Sequence, residues 1–203
     1  MKQWYWIFLS LTYTSMLFAN PIKKVELKSL GLSIETPNHW EGVTDEEFRD
    51  SKNQIHLESK TFTKLLHESK ELPLFSIRKV DPNLEEYFTI INIKALTTEL
   101  EFKNIPLDLR TYLFRVSMAL KKFDYLIEPK AVRINGNLAG FALFSHTIMD
   151  EAQNETKVVS AIWVFPRKGY FYMIGSGMVE ENFEPVFEEV KQIVNTFKIE
   201  KTK

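Results

Sequence analysis

The stretch AVRINGNLAGFALFSHTIMDEAQNETKVVSAIWVFPRKGYFYMIGSGM, residues 131–178, carries four consecutive strand patterns together with the turns that join them. Ala131 to Ile134 runs into Asn135-Gly136, a pair that supplies the positive backbone angles of a tight hairpin turn, and Leu138 to Met149 leaves it. The acidic loop Asp150 to Thr156 follows. Val158 to Phe165 and Tyr170 to Met178 form a second hairpin around Pro166-Arg167-Lys168-Gly169, whose glycine suits a left-handed position closing a longer turn. Nearly every residue from Val158 to Phe165 is apolar, so these central strands are read as covered on both faces rather than washed on one.

Helices must supply that cover. After the second hairpin, Phe183, Val186, Phe187, Val190, Ile193, Val194 and Phe197 recur as one apolar face, with Pro185 in the first turn, where amides lack partners in any case. Upstream, Ile105-Pro106 opens a helix whose stripe of Leu109, Leu113, Val116, Leu120 and Phe123 advances in steps of four, three, four and three, compatible with one buried face. Thr44 to Glu47 fits a capping box, and apolar residues from Phe48 to Leu66 fit one long helix or two shorter ones parted near Glu58-Ser59. Strands are expected at Leu32 to Thr36, before Pro37-Asn38 and Trp40, at Leu74 to Val80 and at Tyr87 to Leu96. The fold class that results is α+β: an antiparallel sheet of six or seven strands covered by helices on both faces, an α/β/α sandwich.

Outside that core, residues 1–19 read as a signal peptide. Lys2 precedes an apolar run from Trp4 to Ala19, and Leu17-Phe18-Ala19 places a small residue before a cut between Ala19 and Asn20. A run of about 16 residues is shorter than the roughly 20 a spanning helix needs, so the segment is read as cleaved rather than as an anchor. Residues 20–29 follow as a short tether, and 30–203 as a single domain of ordinary size. The expected location is periplasmic or secreted, with no stable membrane insertion after cleavage.

The chain has no cysteine, which removes disulfides, thiol nucleophiles, the usual structural zinc sites and a lipoprotein attachment residue. Its 26 basic and 27 acidic residues balance, without the basic excess that nucleic-acid binders use against phosphates. No phosphate-binding loop can be assembled from seven scattered glycines.

Candidate chemistry is correspondingly sparse. Of the four histidines, His39, His56, His67 and His146, His56 and His67 would share a helix face three turns apart, too far to grip one metal. His146 sits between Ser145 and Thr147, whose side chains point to the opposite face of a strand, so no Ser-His dyad forms locally. Gly175-Ser176-Gly177 has the wrong spacing for a nucleophile elbow and reads as a strand that ends or bulges where a neighbour approaches closely. Glu180, Glu181, Glu184, Glu188 and Glu189 complement the dipole of the last helix. Asn154-Glu155-Thr156 matches a glycosylation triplet, of consequence only in a host that glycosylates exported chains. No catalytic, metal or cofactor residue is assigned.

Several segments together resemble the Mog1/PsbP-like family, including its bacterial envelope branch. They are Leu30 to Pro37 before Trp40, Leu74 to Ile77, Ile134-Asn135-Gly136 into Gly140-Phe141-Ala142, Gly169 to Ile174, and the helix from Phe183 ending in Asn195-Thr196-Phe197-Lys198. The resemblance implies an α/β/α sandwich and a non-enzymatic accessory or binding role. Relatives differ in partner, from photosystem subunits through a nuclear GTPase-binding protein to envelope lipoproteins, so no partner transfers with the fold. The expected function is therefore an exported binding or assembly-accessory protein of the cell envelope, meeting an envelope protein or a small ligand. The alternatives are an envelope hydrolase with a fold-assembled site and a carrier of a small apolar ligand. His146 converging with an acid in a deep pocket would favour the hydrolase; exposed aromatics such as Trp40 on a shallow surface would favour binding.

Overall fold

The computed structural model describes residues 22–42, 59–79, 89–97, 100, 102–149 and 153–200. The leader, its Ala19/Asn20 cut, His56, the Thr44 capping box and the helix read from Phe48 fall outside them, apart from the last eleven helical residues, Ser59–Ser69 (α1).

The two hairpins of residues 131–178 form the centre of the molecule. Strands β7 (Asn137–Met149), β8 (Glu155–Arg167) and β9 (Tyr170–Val179) lie side by side, with β6 (Lys121–Ile134) at one edge. On the other side follow β5 (Thr89–Thr97), β4 (Glu71–Lys79) and the short β3 (Trp40–Gly42). The order is β3-β4-β5-β9-β8-β7-β6, and neighbouring strands pair antiparallel throughout. Asn135 (φ 45°) and Gly136 (φ 76°) both take the positive angles the β6–β7 turn requires.

Both faces are covered, for the reason the continuous apolar run gave: alternate residues point opposite ways. On one face Ala142, Phe144, Ile162, Val164 and Phe171 meet helix α2 (Ile105–Ser117) through Ile105, Leu109 and Leu113. On the other, Phe141, Leu143, Trp163, Phe165 and Ile174 pack in one core that also takes Phe62 and Leu66 of α1 and the apolar side of α3 (Phe183–Asn195). Gly140 lets α2 come down onto the sheet: a Cβ there would lie 2.9 Å from Ile105 Cγ2 and 3.0 Å from Leu109 Cδ2.

Three sequence expectations need correction. The tether of residues 20–29 contains a strand, β1 (Ile22–Leu27), and a 3-10 turn, Lys28–Leu30. Lys23, Lys24 and Glu26 hide it from a hydropathy pattern, but its backbone is paired along the whole of β2 (Leu32–Pro37). That small sheet is completed by β10 (Lys198–Ile199) on the other side of β2. Helix α2 ends at Ser117, so Leu120 and Phe123 continue its stripe only in the sense of reaching the same core, from the connection and from β6. The first ten residues of β6 carry Pro129 and register shifts against β7, which is why they lack a plain strand alternation.

Candidate functional site

Helix α2 carries two apolar stripes. At about 100° per residue, Leu107, Phe114 and Met118, the last being the residue that caps the helix, fall within about 40° of one another and opposite the buried Leu109 side. They are 58%, 64% and 71% exposed, whereas most other large apolar side chains among the described residues are covered. The start of the helix is fixed by a reciprocal cap. Asn104 Oδ1 accepts from the Leu107 amide (3.4 Å), and Asp108 Oδ2 accepts from the Asn104 amide (3.0 Å). Arg110 clips the helix to Glu128 of β6 at 2.7 Å.

Beside α2 the sheet face is not fully covered. Tyr112 and Val116 wall two cavities that follow one another along β5 and β9, of about 580 and 850 Å³. The floor of the smaller is opened by Gly175, where an added Cβ would touch nothing within 4 Å, and edged by the Ser76–Asn92 hydrogen bond and the Lys94–Glu71 ion pair (2.7 Å). The larger is lined by His67, Lys70, Arg115 and Phe171. Burial raises the Tyr112 phenol above its ordinary range, so it stays protonated, and its hydroxyl donates to Met173 Sδ (3.7 Å).

The Gly175-Ser176-Gly177 strand neither ends nor bulges there. Strand β9 runs in register with β5 and β8 through this segment, and the only contact a Cβ at Gly177 would make is an ordinary one with Val158 at 3.7 Å. The glycines leave space above the sheet instead of admitting a close neighbour, and Ser176 Oγ, on the other face, is buried with no hydrogen-bond partner.

His146 does find a serine, from the next strand. Its Nε2 lies 3.0 Å from Ser160 Oγ, a diagonal pair across β7 and β8, and Ser160 lines the smaller cavity. His146 Nδ1 is buried with no hydrogen-bond partner, and burial lowers the imidazole below its ordinary value, so the ring is neutral at pH 7. A general base oriented by a third group needs an acceptor at that nitrogen. The acid whose convergence would have favoured a hydrolase does not reach it.

The acidic cluster at α3 divides. Glu188 pairs with Lys191 and Glu180 with Lys157 at the surface. Glu189 turns inward and accepts from His39 Nε2, from Trp40 Nε1 at 2.9 Å and from Lys79 Nζ at 2.6 Å. Burial pushes its carboxyl up, but these donors more than offset it and hold it below the usual glutamate range. Trp40 is 1% exposed, so it does not supply the exposed aromatic that would have favoured binding: its ring fills the core and its indole N–H reaches this carboxylate. Among the described residues no group of three or more His, Asp or Glu side chains could hold a metal, and no helix is long and apolar enough to cross a membrane.

No protein-family model and no curated protein matches the sequence. Solved structures do match. The Ran-binding protein Mog1p of Saccharomyces cerevisiae is 10% identical over 89% of this chain and 96% of its own, with a TM-score of 0.53. Cyanobacterial PsbP (CyanoP) of Synechocystis sp. PCC 6803 is 13% identical over 94% of this chain and 99% of its own, with a TM-score of 0.50. LpqN of Mycobacterium tuberculosis, described as involved in cell envelope biogenesis, is 12% identical over 91% and 88%, with a TM-score of 0.49. The chain spans about half, 48%, of a further matching chain from Bacteroides thetaiotaomicron VPI-5482. Identities this low speak to architecture alone, and that architecture, the seven-stranded antiparallel sheet between helices, is the Mog1/PsbP-like fold.

Proposed function

We propose that this chain is an exported, non-catalytic binding or assembly-accessory domain of the cell envelope, meeting a protein partner through the outer face of α2. One observation carries the reading: Leu107, Phe114 and Met118 form a single exposed stripe opposite the helix's buried side. Covering such side chains is worth about 1.5–3 kcal/mol each, so three in a row are a costly surface to leave wet and a useful one to cover. The leader read in residues 1–19 supports export, and the unpartnered Nδ1 of His146 supports a role without turnover.

The test is a photo-crosslinking residue placed at Phe114 in the native host, with Lys64 on α1, 74% exposed in its side chain, as the control position. A discrete adduct with an envelope protein at Phe114 and none at Lys64 is the expected result, on a chain whose mass begins at Asn20. Equal labelling at both positions, or none at either, refutes the docking face; a chain retaining Met1 refutes the cleaved leader. The hydrolase reading keeps one favourable observation, the His146–Ser160 contact. Ester turnover abolished by Ser160→Ala would replace the binding proposal with it.

A further inference from the structure

On the sheet face opposite α2, strand β6 and helix α3 stand apart and leave a pocket of about 230 Å³. Its floor is three rings in mutual contact. The centroids of Phe141 and Trp163 are 5.1 Å apart, and Phe187 lies 6.3 Å from each. Ile127, Val132 and Ile134 of β6 close the apolar side. Two cations stand at the rim: Lys130 Nζ is 5.7 Å from the Phe141 centroid, and Lys191 Nζ is 5.3 Å from that of Phe187. Lys130 has no carboxylate partner among the described residues. Among the described residues the acid on Lys191 is Glu188, three positions back on the same helix, in an exposed pair of small worth.

Two ammonium groups over an aromatic floor is an arrangement with a specific complement. The rings repay only an apolar group, and the cations only an anion held at the mouth while that group is inside. Size narrows the choice further. A dry cavity of about 150 Å³ accepts benzene, whereas drug-sized ligands occupy roughly 300–1,000 Å³. A volume of 230 Å³ suits one bicyclic ring or a ring with a short chain. Asn195, also in the lining, adds a neutral polar group at the helix end.

We propose that the pocket between β6 and α3 is a binding site for a small organic anion, an aryl or short acyl carboxylate, whose apolar group stacks in the Phe141–Trp163–Phe187 box while its carboxylate bridges Lys130 and Lys191. The site is on the other side of the sheet from α2, so it stands or falls separately from the partner face.

Calorimetric titration with 2-naphthoate, beside its neutral counterpart naphthalene-2-methanol, tests it. The naphthoate is expected to bind with a sub-millimolar Kd and at least tenfold more tightly than the alcohol, and to shift the Trp163 indole N–H resonance. Lys130→Gln and Lys191→Gln should each weaken the naphthoate threefold to tenfold and leave the alcohol unchanged. Val132→Phe, which fills the pocket with apolar volume, should abolish binding of both with the urea midpoint retained. Equal affinity for acid and alcohol, a naphthoate Kd indifferent to the double lysine variant, or no binding up to millimolar concentration overturns the proposal.

Discussion

Replacing Glu189 by Ala should cost far more than removal of a surface glutamate from a helix. The side chain is 20% exposed and serves three donors. Losing it strands the indole N–H of the buried Trp40, which costs about 1–3 kcal/mol as an unsatisfied donor. The charged bond from Lys79, one-third exposed and screened accordingly, adds about 1 kcal/mol, and the half-exposed His39 little. The total is about 2–4 kcal/mol, or a fall in Tm of roughly 6–12 °C for a domain of this size. Urea denaturation at pH 7 measures it. Glu189→Gln, which keeps an acceptor for Trp40 but no charge, should cost only about 1 kcal/mol. The pH dependence has a fixed sign: a carboxyl held below 4.5 in the folded state stabilises fully above that value and loses the contribution as pH falls through its lowered folded value. The gap between wild type and Glu189→Ala should therefore narrow from pH 7 to pH 3. A cost below about 0.5 kcal/mol, or a gap constant across that range, would refute the account of Glu189 as the tie between β3, β4 and α3.

Burial lowers the His146 imidazole from its ordinary 6.5, so stability should be full above that pH and fall below it as the unfolded chain takes up the proton first; urea midpoints between pH 7 and 5 should lose this slope in His146→Leu. Gly140→Ala drives a methyl into Ile105 and Leu109 and should destabilise by about 1–3 kcal/mol, with weaker near-ultraviolet dichroism from displaced α2. Gly136→Ala meets no atom within 4 Å, so its cost, about 1 kcal/mol, comes from the positive φ alone, and thermal melts of the two alanine variants should rank them in that order.

The central hairpins were legible because their signals are local. Asn135-Gly136 can do little but turn, and an apolar run as long as Val158 to Phe165 needs cover on both sides. What escaped was set by distance along the chain. Glu189 looks like its four acidic neighbours until the fold brings His39 and Trp40 to it across some 150 residues. The Ser160 partner of His146 is fourteen residues away, on a strand whose register a single sequence does not show. The outer stripe of α2 was the exception, since Leu107, Phe114 and Met118 at seven and four residues' spacing is visible in the letters. It was eclipsed by the stronger buried stripe, whose run through Leu120 and Phe123 in turn suggested a longer helix than Asn104 and Ser117 bound.

Strand β2 is shared: β1, which begins at Ile22, lies along one side and β10, Lys198–Ile199, along the other. Ser33 pairs with Lys198 across nearly the whole of the intervening sequence, so this ladder is a closure of high sequence separation and is expected to form late in folding.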